Sequence, residues 1–148
     1  MPSPHRTREI AQYEARHTTV KALTASAALT AADSGKLIAL NIIGGDVAIT
    51  LPAAALGLTY RIMVWKSDTG DDNVTIATAV ATSLFKGGVV HLDITADENS
   101  LNVEADFSDD DLLTLVDPRN GTLVELFCDG THLYLSGRVV YDTVPTIG

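Results

Sequence analysis

The sequence predicts an all-β protein: a single β-sandwich or jelly-roll-like barrel of roughly eight to ten short antiparallel strands, preceded by an extended N-terminal arm. Three observations predict it. Apolar residues alternate with small or polar ones in successive runs, as in Ile38, Leu40 and Ile42, Val47, Ile49 and Leu51, and Val90, Leu92 and Ile94. That is the two-residue period of strands with one buried face. Turn-forming Gly, Pro and Asp residues separate the runs at fairly even spacing, with no internal repeat and no credible long helix. Hydrophobic content is 46% against 20% charged, a globular balance, and the eight aromatics are few for 148 residues. That length holds one domain with its own core, not two.

Residues 1–21 read as an arm and 22–148 as the domain. Pro2 and Pro4 keep the start extended, and residues 7–16 form a short helix or lie extended on a partner. Ile10 and Tyr13 give a helix only a thin apolar stripe, so order in this segment requires docking on a neighbouring chain. Residues 17–23 form a first strand, and small residues 24–30 lead to an Asp33-Ser34-Gly35 turn, where Asp33 and Ser34 bond backbone N–H groups. Residues 36–43 and 47–51 are expected to form a hairpin through Gly44-Gly45-Asp46. Pro52 lacks an N–H and ends the second strand. Residues 58–65 add a third strand, with Tyr60, Ile62 and Val64 on one face and Met63 and Trp65 on the other beside Arg61. Two apolar faces mark a strand either central to the sandwich or covered by another subunit, and Met63 and Trp65 are the expected subunit contact.

Residues 68–73 are a turn, 74–80 a strand, and Lys86-Gly87-Gly88 another turn. Residues 89–95 alternate, with Val90, Leu92 and Ile94 expected inward and His91 and Asp93 outward. Residues 101–105 alternate again. Residues 106–115 break the pattern, and Ser108 or Asp109 is expected to cap a short helix there. Residues 123–128, the Asp129-Gly130 turn and residues 132–135 form a closing hairpin, and residues 138–141 add one more strand.

Charge divides the chain unequally. Residues 1–21 carry +2, and residues 22–148 carry −11, from six Lys or Arg against seventeen Asp or Glu. An acidic body repels phosphates and anionic lipid, which argues against nucleic acid or a membrane as main partner. The first residues lack the apolar run of a secretory signal, so the chain is expected to act where it is made or where it assembles.

The search for chemistry finds no active site, and the expectation is a non-enzyme without cofactor or metal. Cys128 shares a face with Val124 and Leu126 and reads as a buried small hydrophobe. His5, His17, His91 and His132 lack zinc spacing, except that His132 follows Cys128 by four, across a tight turn that points the two apart. Asp68, Asp71 and Asp72, like Asp106, Asp109, Asp110 and Asp111, lack the spacing of a calcium loop and read as solvated loop charge. Ser34 has no His nearby and no nucleophile-elbow setting. No aromatic-rich cleft accompanies any pair of carboxylates.

Leu29-Thr30-Ala31-Ala32-Asp33-Ser34-Gly35-Lys36, followed by Leu51-Pro52 and Gly57-Leu58-Thr59-Tyr60, resembles a β-domain of tailed-bacteriophage virion proteins. The segment from Gly121 through Leu126-Phe127-Cys128-Asp129-Gly130-Thr131 is similar to that family's closing hairpin, although His132-Leu133-Tyr134 stands where the family often has a Trp. The resemblance is strongest to head decoration (cement) proteins. It implies a homo-oligomer, a trimer as in those proteins, that binds the major capsid protein on the outer capsid surface, bridges subunits and stabilises the head. Such a protein is made in the host bacterial cytoplasm. Under that reading Arg6, Arg8, Ile10, Tyr13 and Arg16 contact the capsid. The alternative is a tail or fibre module that attaches to the host.

Overall fold

The computed structural model describes residues 19–68, 70–94, 101–105, 108–141 and 143–148. The described residues form an all-β sandwich of two mixed sheets. The strands are β1 (Val20–Leu23), β2 (Ala27–Ala28), β3 (Leu37–Asn41), β4 (Val47–Thr50), β5 (Thr59–Lys66), β6 (Val74–Ala77), β7 (Phe85–Leu92), β8 (Leu101–Glu104), β9 (Leu112–Leu115), β10 (Leu123–Cys128), β11 (Leu133–Val140) and β12 (Thr146–Ile147). One sheet has the order β1-β3-β5-β10-β11-β7-β8, the other β12-β9-β6-β4-β2.

From β1 to β6 the chain changes sheet at every step, and strands two apart in sequence become neighbours. β1, β3 and β5 pair in parallel in the larger sheet, and β2, β4 and β6 in the smaller. Each of these four parallel crossovers is made by a strand of the opposite sheet instead of a helix. The strands of the second half then close the sandwich mostly with antiparallel ladders: β9 against β6, β10 between β5 and β11, and β8 against β7. The pairing is therefore mixed where antiparallel pairing was expected.

That topology corrects the first hairpin. β3 and β4 lie in different sheets, and residues 42–46 form an arch between them. Ile38 and Leu40 face Val47 and Ile49 across the interior, all at 2% exposure or less. Alternation marks which side chains turn inward, and it is identical for two strands sharing a sheet and two strands facing each other. Ala27–Ala28, within the small-residue segment, is a further strand, hidden in the sequence by its lack of large apolar residues. Leu29 N–H donates to the Thr50 carbonyl at 2.8 Å just beyond it.

Four further expectations change. Lys86-Gly87-Gly88 is no turn but the interior of β7. The phase of that strand is also opposite to the expected one: Val89 and His91 are buried, whereas Val90 and Ile94 are 36% and 54% exposed. Apolar residues occupy both parities here, and Phe85, fully buried, sets the phase. His91 is tolerated inside because its Nε2 bonds the Tyr141 carbonyl at 2.8 Å, although Nδ1 has no partner among the described residues. The expected helix after Ser108 is replaced by β9, whose Leu113 and Leu115 are buried at strand period. Residues 138–141 add no separate strand, because β11 runs on through Val140. The closing hairpin stands as expected, with Leu126 opposite Leu135 and Cys128 opposite Leu133.

The core lies between the sheets, with Tyr60, Ile62, Val64, Val124, Leu126, Leu133 and Leu135 from the larger and Val47, Ile49, Val74, Ile76, Leu113 and Leu115 from the smaller.

Candidate interaction surface

The two outward faces of the sandwich differ in chemistry. The smaller sheet presents mostly Ala48, Thr50, Thr75, Ala77, Leu112 and Thr114. The larger sheet presents Arg61, Met63 and Trp65 from β5, Leu123, Glu125 and Phe127 from β10, and Tyr134, Ser136 and Arg138 from β11. Trp65, Phe127 and Tyr134 are 46%, 46% and 44% exposed. Large aromatics left half in water on one face mark an interaction surface more than scattered single residues do.

The register arranges these side chains in rows across the strands. Thr59, Phe127 and Tyr134 form one row, and Arg61, Glu125 and Ser136 the next. The Phe127 and Tyr134 rings are 6.4 Å apart and tilted by 41°, within the range for attractive aromatic pairs. Arg61 Nε donates to Glu125 Oε1 at 2.8 Å, with both side chains about half exposed. Between the rows runs an open groove of about 350 Å³, which ends at Gly35. Gly35 sits beside Thr59, its N–H donating to the Thr59 carbonyl at 2.9 Å. The groove thus has an aromatic wall, a charged wall and a low end of small residues.

Tyr134 is held at its base by the β10–β11 turn. Asp129 Oδ1 accepts from the N–H groups of His132 and Thr131 at 2.7 and 2.8 Å. These bonds, the His132 one foremost, bring its carboxyl down to about 2. The nearby Asp129 carboxylate also pushes the Tyr134 phenol above its usual range.

A second polar cluster fixes the strand ends next to the groove. Asp33, buried, accepts from Lys21 Nζ at 2.8 Å, Lys36 Nζ at 3.0 Å and Thr30 N–H at 3.0 Å. The Tyr60 hydroxyl donates to the Thr30 carbonyl at 3.0 Å, and burial raises the Tyr60 phenol. Ser34 Oγ accepts from Thr59 N–H at 3.0 Å. Asp33 and Ser34 therefore do bond backbone N–H groups, as their turn chemistry predicts.

Met63 and Trp65 lie on this outer face of the larger sheet, with Lys66 Nζ 4.8 Å above the Trp65 ring. Arg6, Arg8, Ile10, Tyr13 and Arg16 lie outside the described residues, which pick up the chain at Thr19, directly before edge strand β1. His5, His17 and Asp106 lie outside them too. Cys128 is fully buried and His132 is half-buried beyond the turn. Among the described residues no group of three or more His, Cys, Asp or Glu is placed to hold a metal ion, and no helix is long and apolar enough to cross a membrane.

Sequence reasoning missed Phe127, Tyr134 and the Arg61–Glu125 pair. The signal was present: if Val124, Leu126 and Cys128 share the inner face, Glu125 and Phe127 must share the outer one. No protein-family model and no curated protein matches the chain.

Proposed function

We propose that this chain is a structural virion protein that decorates a bacteriophage capsid, binding its outer surface and bridging capsid subunits as a homo-oligomer. The observation that carries this reading is the half-exposed aromatic face of the larger sheet, whose edge strand β1 follows directly on the basic N-terminal segment. The sequence resemblance supplies the virion context. In this reading Met63 and Trp65 pack against another subunit, and Arg6, Arg8, Ile10, Tyr13 and Arg16 contact the major capsid protein. A segment of charge +2 joined to a body of charge −11 supplies attraction for an acidic partner surface that the body alone would repel. Several weak contacts made at once by one oligomer multiply through effective concentration, which resists the outward pressure of packed DNA.

The test is co-sedimentation with undecorated capsids, using the full-length protein and a form lacking residues 1–16. The full-length protein sediments with capsids to saturation and the shortened one stays in solution, with an unchanged circular dichroism spectrum. Binding by both forms removes the role of the arm. Binding by neither removes the capsid assignment in favour of a tail or fibre module.

A further inference from the structure

The larger sheet's outer face is complementary to itself. β10 and β11 carry a ridge, Phe127 with Tyr134, and the same row continues over β5 and the segment before β3 as a trough, where it holds only the small residues Thr59 and Gly35. Among the described residues no atom lies within 4 Å of a Cβ built on Gly35, so the floor of the trough is open. We propose that a second copy of this chain packs on this face about a two-fold axis that runs along the strands between β5 and β10, each ridge seated in the other's trough. This rests on the homo-oligomeric part of the function proposed above and specifies its contact.

The register dictates what such an axis brings together. It exchanges β5 with the partner's β10 at the same height, so each residue faces the residue that is its lateral neighbour within one copy. Phe127 meets the partner's Thr59, Tyr134 meets the partner's Gly35, and Met63 meets the partner's Leu123. Charge follows the same rule: Arg61 meets the partner's Glu125, and Glu125 the partner's Arg61. Within one copy the pair uses only Arg61 Nε, so the four N–H groups on Nη1 and Nη2 can serve a second carboxylate. An axis running across the strands through this row would set Arg61 against Arg61, and one running along β10 would set Glu125 against Glu125. The position between β5 and β10 pairs opposite charges twice within this row, and it makes the contact isologous.

The size of the face suits a stable dimer. The axis overlays β5 on β10, β3 on β11 and β1 on β7, six strands of four to eight residues, with about 16 Å² of sheet per residue. That footprint, roughly 650 Å² before corrugation, approaches the roughly 800 Å² per partner found in specific interfaces. Such a contact yields an even-numbered assembly in place of the trimer that the resemblance implies.

Sedimentation equilibrium of the full-length protein without capsids tests this. The expected mass is twice that of the monomer, and Phe127→Ala weakens association by about tenfold or more. Arg61→Glu and Glu125→Arg are each expected to be monomeric, since each sets like charges together twice. Mixed one to one they associate again, because both crossed pairs become attractive, a rescue that a pair acting only within one copy does not give. Thermal unfolding of each variant confirms that it is folded. A monomeric or trimeric wild type, or variants that fail to associate when mixed while remaining folded, overturns the two-fold contact. Capsid binding by a monomer would leave the decoration role standing while this contact fell.

Discussion

Lys21 Nζ lies 2.8 Å from Asp33 Oδ2, joining edge strand β1 to the turn that launches β3. Lys36 holds the other oxygen of the same carboxylate at 3.0 Å. Asp33 is buried while both lysine side chains reach solvent, so the cluster anchors the first arch without burying two cations. Replacing Asp33 by Asn keeps the shape but loses the charge. At neutral pH it is expected to cost about 2 kcal/mol, the value of hydrogen bonds to a charged group. Urea unfolding of the two proteins measures it.

The same carboxylate makes stability depend on acidity. The Lys21 bond, with those of Lys36 and Thr30, holds its pKa well below the usual aspartate value. A group depressed in the folded state contributes stability in full above its unfolded pKa, about 4, and loses it as pH falls toward the folded value. Asp129, brought down to about 2 by the N–H groups of its turn, acts in the same direction. Urea unfolding between pH 7 and pH 2.5 should show wild-type stability falling below about pH 4. The gap to Asp33→Asn narrows over the same interval, because the proton then does what the substitution does. A constant gap would separate Asp33 from the acid transition.

Arg119 ties together segments that the strand ladders leave apart. Its Nη2 stands 3.0 Å from buried Asp117 Oδ2, an ion pair without hydrogen-bond geometry. Its guanidinium carbon lies 4.7 Å from the centre of the Tyr141 ring, and Nη1 donates to the Asp68 carbonyl. Arg119→Ala takes this cation away from the buried Asp117 charge, which is expected to cost about 3 kcal/mol. Arg119→Ala combined with Asp117→Asn should recover part of that loss. Equilibrium unfolding of the two variants reads the difference.

How much of this is legible in the chain depends on which physical signal each feature leaves. Burial leaves a strong one: Ile38, Leu40, Val47, Ile49, Tyr60, Ile62 and Val64 are inside as their alternation requires. Pairing leaves almost none. Whether β3 and β4 share a ladder or face each other is decided by contacts with β5 and β6, far along the chain. At residues 89–94 both parities are apolar, so alternation there does not choose a phase. Phe85 chooses it from the start of the strand, and His91 follows inward because the Tyr141 carbonyl receives its ring. On the outer face of the larger sheet Met63 and Trp65 are visible as large apolar residues out of phase with a core face. The outward turn of Glu125 and Phe127 follows from the inward run Val124, Leu126 and Cys128, but their pairing with Arg61 and Tyr134 is a product of register, which no local pattern states.

Gly87 and Gly35 separate two costs of adding a side chain. Both have positive φ, +89° and +80°, a region that an L-residue enters at about 1–2 kcal/mol. Among the described residues a Cβ on Gly35 meets open space, whereas one on Gly87 overlaps the Leu135 carbonyl oxygen of the neighbouring strand. Within one copy, Gly35→Ala should therefore cost about the conformational amount alone. Gly87→Ala must also push β7 from β11, two strands joined in parallel on both sides of this point, and is expected to cost about 3 kcal/mol. Thermal unfolding of both variants measures the difference. Equal losses would mean that the β7–β11 ladder yields freely at this point, and that Gly87 is there for its backbone angle and not for the close approach of the two strands.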